Sequence, residues 1–365
     1  MKLKALERRG KRLLIAVLGF LLGAGSVSPR RIARRRLHRV LVVRQDERLG
    51  NVLLITPLLG GLRRALPGAH ICVLVSRRFA DVLRGNDDID RILTFDKRRM
   101  LRNPFRLVSL IRTLRKGSFN LAVDGGPIDD ISLNNSLLTY LSGAPLRLGH
   151  RRGDSHLFLT TEVPVVQGKR TEVDHHLDLL RYLFGDVPAG RMKMSLFPEE
   201  RDRAVQRGRS WGLRSDDVVV GLHVGGRGKK RWAAGQFYSL AERLISRYGV
   251  RVLLFWGPNE RELVRPFQSQ VLRGLSIPPL LPIRDLAAQV ERCAVFICND
   301  TGPMHMARAV GTPTVAIFRK PNYDRYGPPD RKNKVVYQRD GEVTVDDVMA
   351  AFDGLMKSHR RIEST

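Results

Sequence analysis

The sequence predicts an α/β protein built from two doubly wound, Rossmann-like domains that face one central cleft. Three observations predict it. Continuous β-branched runs recur with helical stretches of about 10–15 residues between them, the pattern of a parallel sheet covered on both faces. The scheme occurs twice, once on each side of a Pro-, Gly- and Arg-rich stretch near residue 190. At 365 residues the chain exceeds the usual size of a single hydrophobic core.

Taken in order, "RVLVVR" (39–44) is a buried strand, followed by a loop and the helical stretch "NVLLITPLLGGLRRALPG" (51–68). "HICVLVS" (70–76), "DRILTFD" (90–96) and "LAVDGG" (121–126) are the next strands, with a helix at 104–116. A helix at 131–142 and the strand "LRLGH" (146–150) close the first half. The second half opens with "DDVVVGLHVGG" (216–226), a strand running into a glycine-rich loop, and then the helix 237–249. "VRVLLFWGP" (250–258), "AVFICND" (294–300) and "TPTVAIF" (312–318) are further strands, and 343–357 reads as a closing helix. The expected division is a basic segment at 1–38, an N-terminal domain at 39–185, a linker at 186–215, a C-terminal domain at 216–340 and a tail at 341–365.

The chain carries 64 Lys and Arg against 36 Asp and Glu, a net charge of +28. Such a field favours anionic partners: nucleic acid, lipid headgroups or nucleotide substrates. Residues 1–39 hold twelve Lys or Arg against the single Glu7, in two clusters flanking the apolar run Leu13–Gly25. Thirteen residues fall short of the roughly 17–25 that span a bilayer. The reading is an interfacial anchor on the inner-membrane surface; a short or tilted span, an export signal and a helix docked on the protein are the alternatives. The three cysteines lie in apolar strand-like runs without a metal-binding or disulfide spacing, which favours a reducing compartment.

In a doubly wound sheet, ligands bind beyond the carboxyl ends of the strands, where helix N-termini offer N–H groups to anions. Three loops of the second half fit. "HVGGRGKKRW" (223–232) combines Gly225 and Gly226, which permit close backbone approach, with Lys229 and Lys230 as phosphate-neutralising charge. In "FWGPNERE", Glu260 is placed where an acidic residue bonds ribose hydroxyls, ordinary capping of the next helix being the alternative. In "NDTGPMHMA", Asp300 or Thr301 caps a helix, Gly302 admits an anion, Pro303 suits the helix start, and His305 sits one turn in.

These motifs, with "VRQDERLGNVLLITPLLGGLRRALP" near the N-terminus, resemble the heptosyltransferase family, the ADP-heptose:lipopolysaccharide glycosyltransferases of GT-B fold. The resemblance spans roughly residues 39–340. It implies inverting, metal-independent transfer of a sugar from a nucleotide-diphosphate donor, with no cofactor. The implied donor site is Gly225, Gly226, Lys230, Glu260 (or Asn259), Asp300, Thr301, Gly302 and His305. Asp300 would meet sugar hydroxyls, Thr301 and Gly302 the diphosphate, and Lys230 the leaving group. The implied acceptor is an anionic glycolipid, and the implied location the cytoplasmic face of the inner membrane.

The chain departs from the family pattern at one point. The loop after the first strand usually reads Gly-Asp, that Asp being the base, whereas this chain has Gly50-Asn51. An amide takes no proton at useful pH. Asp46 in the same loop is the expected substitute, with Glu47 second and Asp124, at the end of the fourth strand, a third carboxylate on the cleft. Arg147, with His150, Arg151 and Arg152, is expected to form a basic patch for acceptor phosphates, a solvated face being the bland alternative. Asp88-Ile89-Asp90 reads as turn chemistry, and the adjacent His175 and His176 as structural or acceptor-phosphate residues. Two other classes stay open: a non-catalytic, membrane-associated sugar-nucleotide binder, which Asn51 favours, and a nucleic-acid binder, against which stands the lack of any recognition motif or interleaved aromatics.

Overall fold

A computed structural model describes residues 37–363 except 189, 227, 229, 230, 269–271, 328, 329 and 340. Most of the expected anchor segment 1–38, with its apolar run, therefore lies outside the described residues, as do Lys229 and Lys230.

Two six-stranded sheets, every adjacent pair parallel, form the molecule. The first holds β1 (Arg39–Arg44), β2 (His70–Ser76), β3 (Arg91–Phe95), β4 (Leu121–Asp124), β5 (Leu146–His150) and β6 (Thr161–Val163) in the order 3-2-1-4-5-6. The second holds β7 (Val219–His223), β8 (Arg251–Phe255), β9 (Leu275–Ser276), β10 (Val295–Asn299), β11 (Thr314–Ile317) and β12 (Asn333–Val336) in the order 12-11-10-7-8-9. Counted from its own first strand, the second sheet repeats the order of the first. Each sheet reverses direction at a switch point, β1 against β4 and β7 against β10, where doubly wound folds place their ligands.

The helical stretch expected at 51–68 is two helices, α1 (Leu49–Leu53) and α2 (Thr56–Ala65). Pro57 lacks the donor that would continue α1, and the Thr56 hydroxyl closes the break by donating to Leu53 O at 2.7 Å. Next come α3 (Lys97–Arg102), α4 (Pro104–Lys116), α5 (Leu133–Leu141) and α6 (Glu172–Phe184). A capping box between Thr171 and Asp174 starts α6. The expected linker contains a helix, α7 (Pro198–Ser210), which packs against α10 (Ile283–Glu291). The second half adds α8 (Ala234–Tyr248), α9 (Arg261–Gln268), α11 (Gly302–Ala309), α12 (Tyr323–Tyr326) and α13 (Val345–Glu363).

One apolar cluster is continuous across both halves, joining Leu49 and Val52 of α1 to Met304, Met306 and Ala307 of α11. Two polar struts reinforce it. Arg284 on α10, 7% exposed, holds the Glu200 carboxylate of α7 and donates to Ser195 O and Asp81 O at 2.7 Å each. On α12, Arg325 reaches the N-terminal half, pairing with Asp129 at 2.8 Å and Glu172 at 2.9 Å. Asp90 of the Asp-Ile-Asp turn accepts from Ile71 N and from Arg63, both at 2.6 Å, so it is turn chemistry as expected.

Candidate active site in the interdomain cleft

The carboxyl ends of β1, β7, β8 and β10 open onto a cavity of about 660 Å³ between the two halves. Its C-terminal wall includes His223, Gly226, Arg231, Glu260, Asp300, Thr301, Gly302, His305, Lys320 and Tyr326. Its N-terminal wall is Glu47 to Asn51 with Arg78 and Phe79. Four described cations, Arg48, Arg78, Arg231 and Lys320, thus converge with three carboxylates, Glu47, Glu260 and Asp300.

The glycine loop after β7 is shaped by close contacts. A Cβ on Gly225 would meet His223 Cε1 at 2.3 Å and Glu260 Oε1 at 2.8 Å. The ring of His223 accepts from Gly225 N through Nδ1 at 3.2 Å, and burial pushes its pKa down to about 4. Asn299, fully buried at the end of β10, clips this loop by donating to Gly225 O at 2.8 Å and accepting from Trp232 N at 2.9 Å. Glu260 curls back to accept from Gly257 N, which turns its carboxylate along the cavity wall.

α11 points its N-terminus into the same space. Thr301 occupies the cap position in extended conformation without capping, because its hydroxyl donates to Asn299 O at 3.2 Å. The Thr301 side chain therefore makes no cap bond to the first turn, and the helix dipole favours an anion there. Pro303 stands in that first turn, one position later than expected, since Gly302 begins the helix.

The two walls touch through two glycines. A Cβ on Gly50 would sit 2.4 Å from His305 Cδ2, and one on Gly302 would sit 3.0 Å from Leu49 Cβ. A side chain at position 50 would force His305 to move and one at 302 would press on Leu49, so α1 and α11 cross in close contact. His305 is 5% exposed at this crossing.

On the N-terminal wall, Asn51 donates to Asp46 Oδ2 at 2.6 Å, and Arg44 Nη2 lies 3.7 Å from the same oxygen. Glu47 faces the cavity and accepts from the Ser76 hydroxyl at 3.2 Å. Asp46 stands behind Asn51 and is not among the cavity-lining residues.

Two acceptor-side expectations are corrected. Asp124 is fully buried, held by Gly126 N at 2.8 Å, the Ser136 hydroxyl at 2.7 Å and Arg152 at 2.8 Å. It does not line the cavity, and both its oxygens are engaged by these partners. Arg147 is a local strut that donates to Phe158 O and Ala144 O and stacks on Tyr140. Of the expected basic patch, His150 and Arg152 are also buried, and Arg151 is exposed. His176 is completely buried behind them, its pKa well below the usual value because burial penalises the cation and Arg44 repels it. Both His175 and His176 are thus interior residues.

The arrangement suits a ligand with phosphate at the α11 N-terminus and hydroxyls along Glu260 and Asp300. Sequence reasoning placed Gly226, Glu260 and the α11 start on this cavity, whereas Gly225, also expected there, does not line it. It missed Asn299, a clip visible only once β7 and β10 pair, and the cations Arg48, Arg78 and Lys320, which carry no distinguishing signal in so basic a chain.

Residues 107–348 match the family model described as glycosyltransferase family 9 (heptosyltransferase). Lipopolysaccharide heptosyltransferase 3 of Escherichia coli is 25% identical over 281 residues, covering 74% of this chain and 80% of that protein. Lipopolysaccharide heptosyltransferase 1 of Pseudomonas aeruginosa is 26% identical over 302 residues, covering 78% and 79%. Among solved structures, a glycosyltransferase family 9 protein from Veillonella parvula superposes with a TM-score of 0.79 at 24% identity, over 91% of this chain and 100% of that one, a likeness of fold. With two thirds of its length inside the family model and the cleft built at the switch points of both sheets, this chain belongs to glycosyltransferase family 9, the heptosyltransferase family.

Proposed function

We propose that the protein transfers heptose from ADP-heptose to a lipopolysaccharide core or related anionic glycolipid, with inversion and without a metal ion. The observation that carries this reading is the convergence of an uncapped helix N-terminus, Asp300 and four cations on one cleft between two Rossmann-like sheets. The diphosphate lies at the first turn of α11, where helix dipole and Arg231 and Lys320 take up its charge. Lys230, outside the described residues, belongs to the same loop as Arg231 and adds to that charge. Glu260 receives the ribose hydroxyls and Asp300 those of the sugar, while Gly226, on the cavity wall, lets the donor approach the backbone and Gly225 gives His223 and Glu260 room to pack beneath it.

In the reaction, an acceptor hydroxyl oxygen attacks the anomeric carbon from the face opposite the phosphate. The new C–O bond forms as the bond to the β-phosphate oxygen breaks, the electron pair leaves with ADP, and the hydroxyl proton passes to a carboxylate. Stabilising the departing diphosphate with fixed positive groups takes the place a divalent cation holds in other transferases. Asp46 is the proposed base: Asn51, in the position where the family carries Asp, holds it by a 2.6 Å hydrogen bond. Glu47, already on the cavity, is the second candidate. The acceptor lies in the cytoplasmic leaflet of the inner membrane, and residues 1–38 hold the enzyme to that surface.

Asp300→Ala and Lys230→Ala test the site. Each is expected to lower transfer at least a hundredfold while leaving the unfolding midpoint near that of the parent. Full turnover in both variants defeats the donor-site assignment. A second reading, sugar-nucleotide binding without transfer, draws on the amide at position 51; tight ADP binding with no product from any sugar nucleotide supports it.

A further inference from the structure

The first half carries a surface that the cleft does not use. From Lys97 to Lys116 the sequence has eight Lys or Arg and no acid. α3 and α4 display them on an unusually apolar exterior: Phe105 is 83% exposed, Val108 41% and Leu107 36%. Leu110 and Leu114 bury the inner face of α4. At 100° per residue, Phe105, Val108 and Arg112 fall on the side opposite that stripe. The exposure is therefore built into the helix phase, not a frayed end. Asn103 caps α4 by accepting from Phe105 N at 3.1 Å, and Pro104 sets its first turn. Arg98, Arg102, Arg106 and Arg112 are exposed and make no ion pair with any described residue.

Topology fixes where this surface sits. α3 starts directly after β3, at the edge where the parallel strands end, and α4 runs back toward the start of β4. The first turn of α4, with Phe105, thus lies on the same edge of the sheet as the β1 loop that carries Asp46 to Asn51. An apolar tip ringed by cations, beside the mouth of the cleft, matches the chemistry of an anionic bilayer: acyl chains for Phe105 and Val108, headgroup phosphates for the arginines.

We propose that α3 and α4 form a membrane-docking face that seats the cleft-side edge of the N-terminal domain on an anionic lipid surface. The face acts apart from residues 1–38 and orients the cleft toward a lipid-borne acceptor. Its definition does not depend on which sugar or which base the reaction uses.

The test uses the full chain carrying Phe105→Cys and an environment-sensitive fluorophore. Labelling is confined to the new position because Cys72, Cys293 and Cys298 are buried. A control label goes on Val218→Cys, 45% exposed at the start of β7 and so on the edge of the second sheet away from the cleft. With vesicles of equal phosphatidylglycerol and phosphatidylcholine, the label at 105 is expected to blue-shift and to be quenched by lipid-borne quenchers. With phosphatidylcholine alone, or at 218, it does not respond. Replacing Arg98, Arg102 and Arg106 by Gln weakens that response about a hundredfold, at roughly fivefold per basic residue near an anionic surface. The proposal is overturned if the chain sediments with the vesicles while the label at 105 stays in water, if it does not sediment, or if duplex DNA shields the label and vesicles do not.

Discussion

Replacing Asn51 by Asp restores the carboxylate that the family carries and places it against Asp46. In the present structure the two side chains meet as donor and acceptor, Asn51 Nδ2 to Asp46 Oδ2 at 2.6 Å. The substitution turns that contact into two carboxylates at hydrogen-bond range. At a relaxed separation of about 4 Å, two unit charges repel by about 1 kcal/mol in water and about 4 kcal/mol at the effective dielectric of a protein surface. Divided by about 1.4 kcal/mol per pKa unit, this raises one member of the pair by roughly one to three units. Arg44, 3.7 Å from Asp46, offsets part of the repulsion and keeps the shift toward the lower end. The assay is the pH dependence of kcat/KM for sugar transfer, whose acid limb reports the base in the free enzyme. In Asn51→Asp the limb is expected to move up by one to two pH units, with activity retained above it, the two apparent values belonging to the pair. In Asp46→Asn, transfer is expected to fall by about 10² to 10⁴. An unmoved limb in the first variant, together with near-parental turnover in the second, refutes the role of Asp46 and transfers it to Glu47.

Three further outcomes follow from the packing. Gly50→Ala forces a methyl to within 2.4 Å of the His305 ring, an overpacking of about 1–3 kcal/mol; if it parts α1 from α11, kcat/KM falls roughly 5- to 150-fold, and a loss under twofold shows that the crossing is not needed for turnover. Arg284→Met leaves the buried Glu200 carboxylate without its partner and is expected to cost about 3–5 kcal/mol in urea unfolding, whereas a cost below 1 kcal/mol contradicts a strut role. Burial holds His150, His176 and His223 below the ordinary histidine value, His223 at about 4. The unfolded chain then binds more protons below about pH 6.5, so the stability present above that value is lost as pH falls toward the folded values. Lowering pH from 7.5 to 5.5 should remove about 1 kcal/mol through His223, with His150 and His176 acting in the same direction, and equal unfolding free energies at the two pH values would contradict this assignment.

The interior strands were legible because both faces of each sheet are covered, which makes β1 and β2 largely continuous apolar runs with the expected bounds; β5, Leu-Arg-Leu-Gly-His, has the expected bounds without such a run. The edge strands β6, β9 and β12 were not, since they are two to four residues long and only partly apolar. The C-terminal wall of the cavity was legible for a chemical reason: glycines and a helix start directly after a strand suit an anion at the carboxyl edge of a parallel sheet. The acceptor side misled. Asp124 stands at a strand end, as a cleft residue should, but its partner Arg152 comes from beyond the next strand, and no local pattern announces a buried ion pair. Arg147 likewise finds one of its two carbonyl partners in the chain's return through Phe158, the other being the nearby Ala144 O. The contact of Asn51 with Asp46 was readable only as proximity in one loop; its geometry needed the turn into α1.

Transfer of heptose from ADP-heptose within this cleft is checked by mass spectrometry of a lipopolysaccharide-core acceptor incubated with the full chain, ADP-heptose and EDTA. The expected result is an acceptor heavier by one heptose, with inverted anomeric configuration, at a rate within twofold of that without EDTA, and its loss in Asp300→Ala. Stoichiometric ADP binding with an unmodified acceptor, or a product formed equally well by Asp300→Ala, would contradict it.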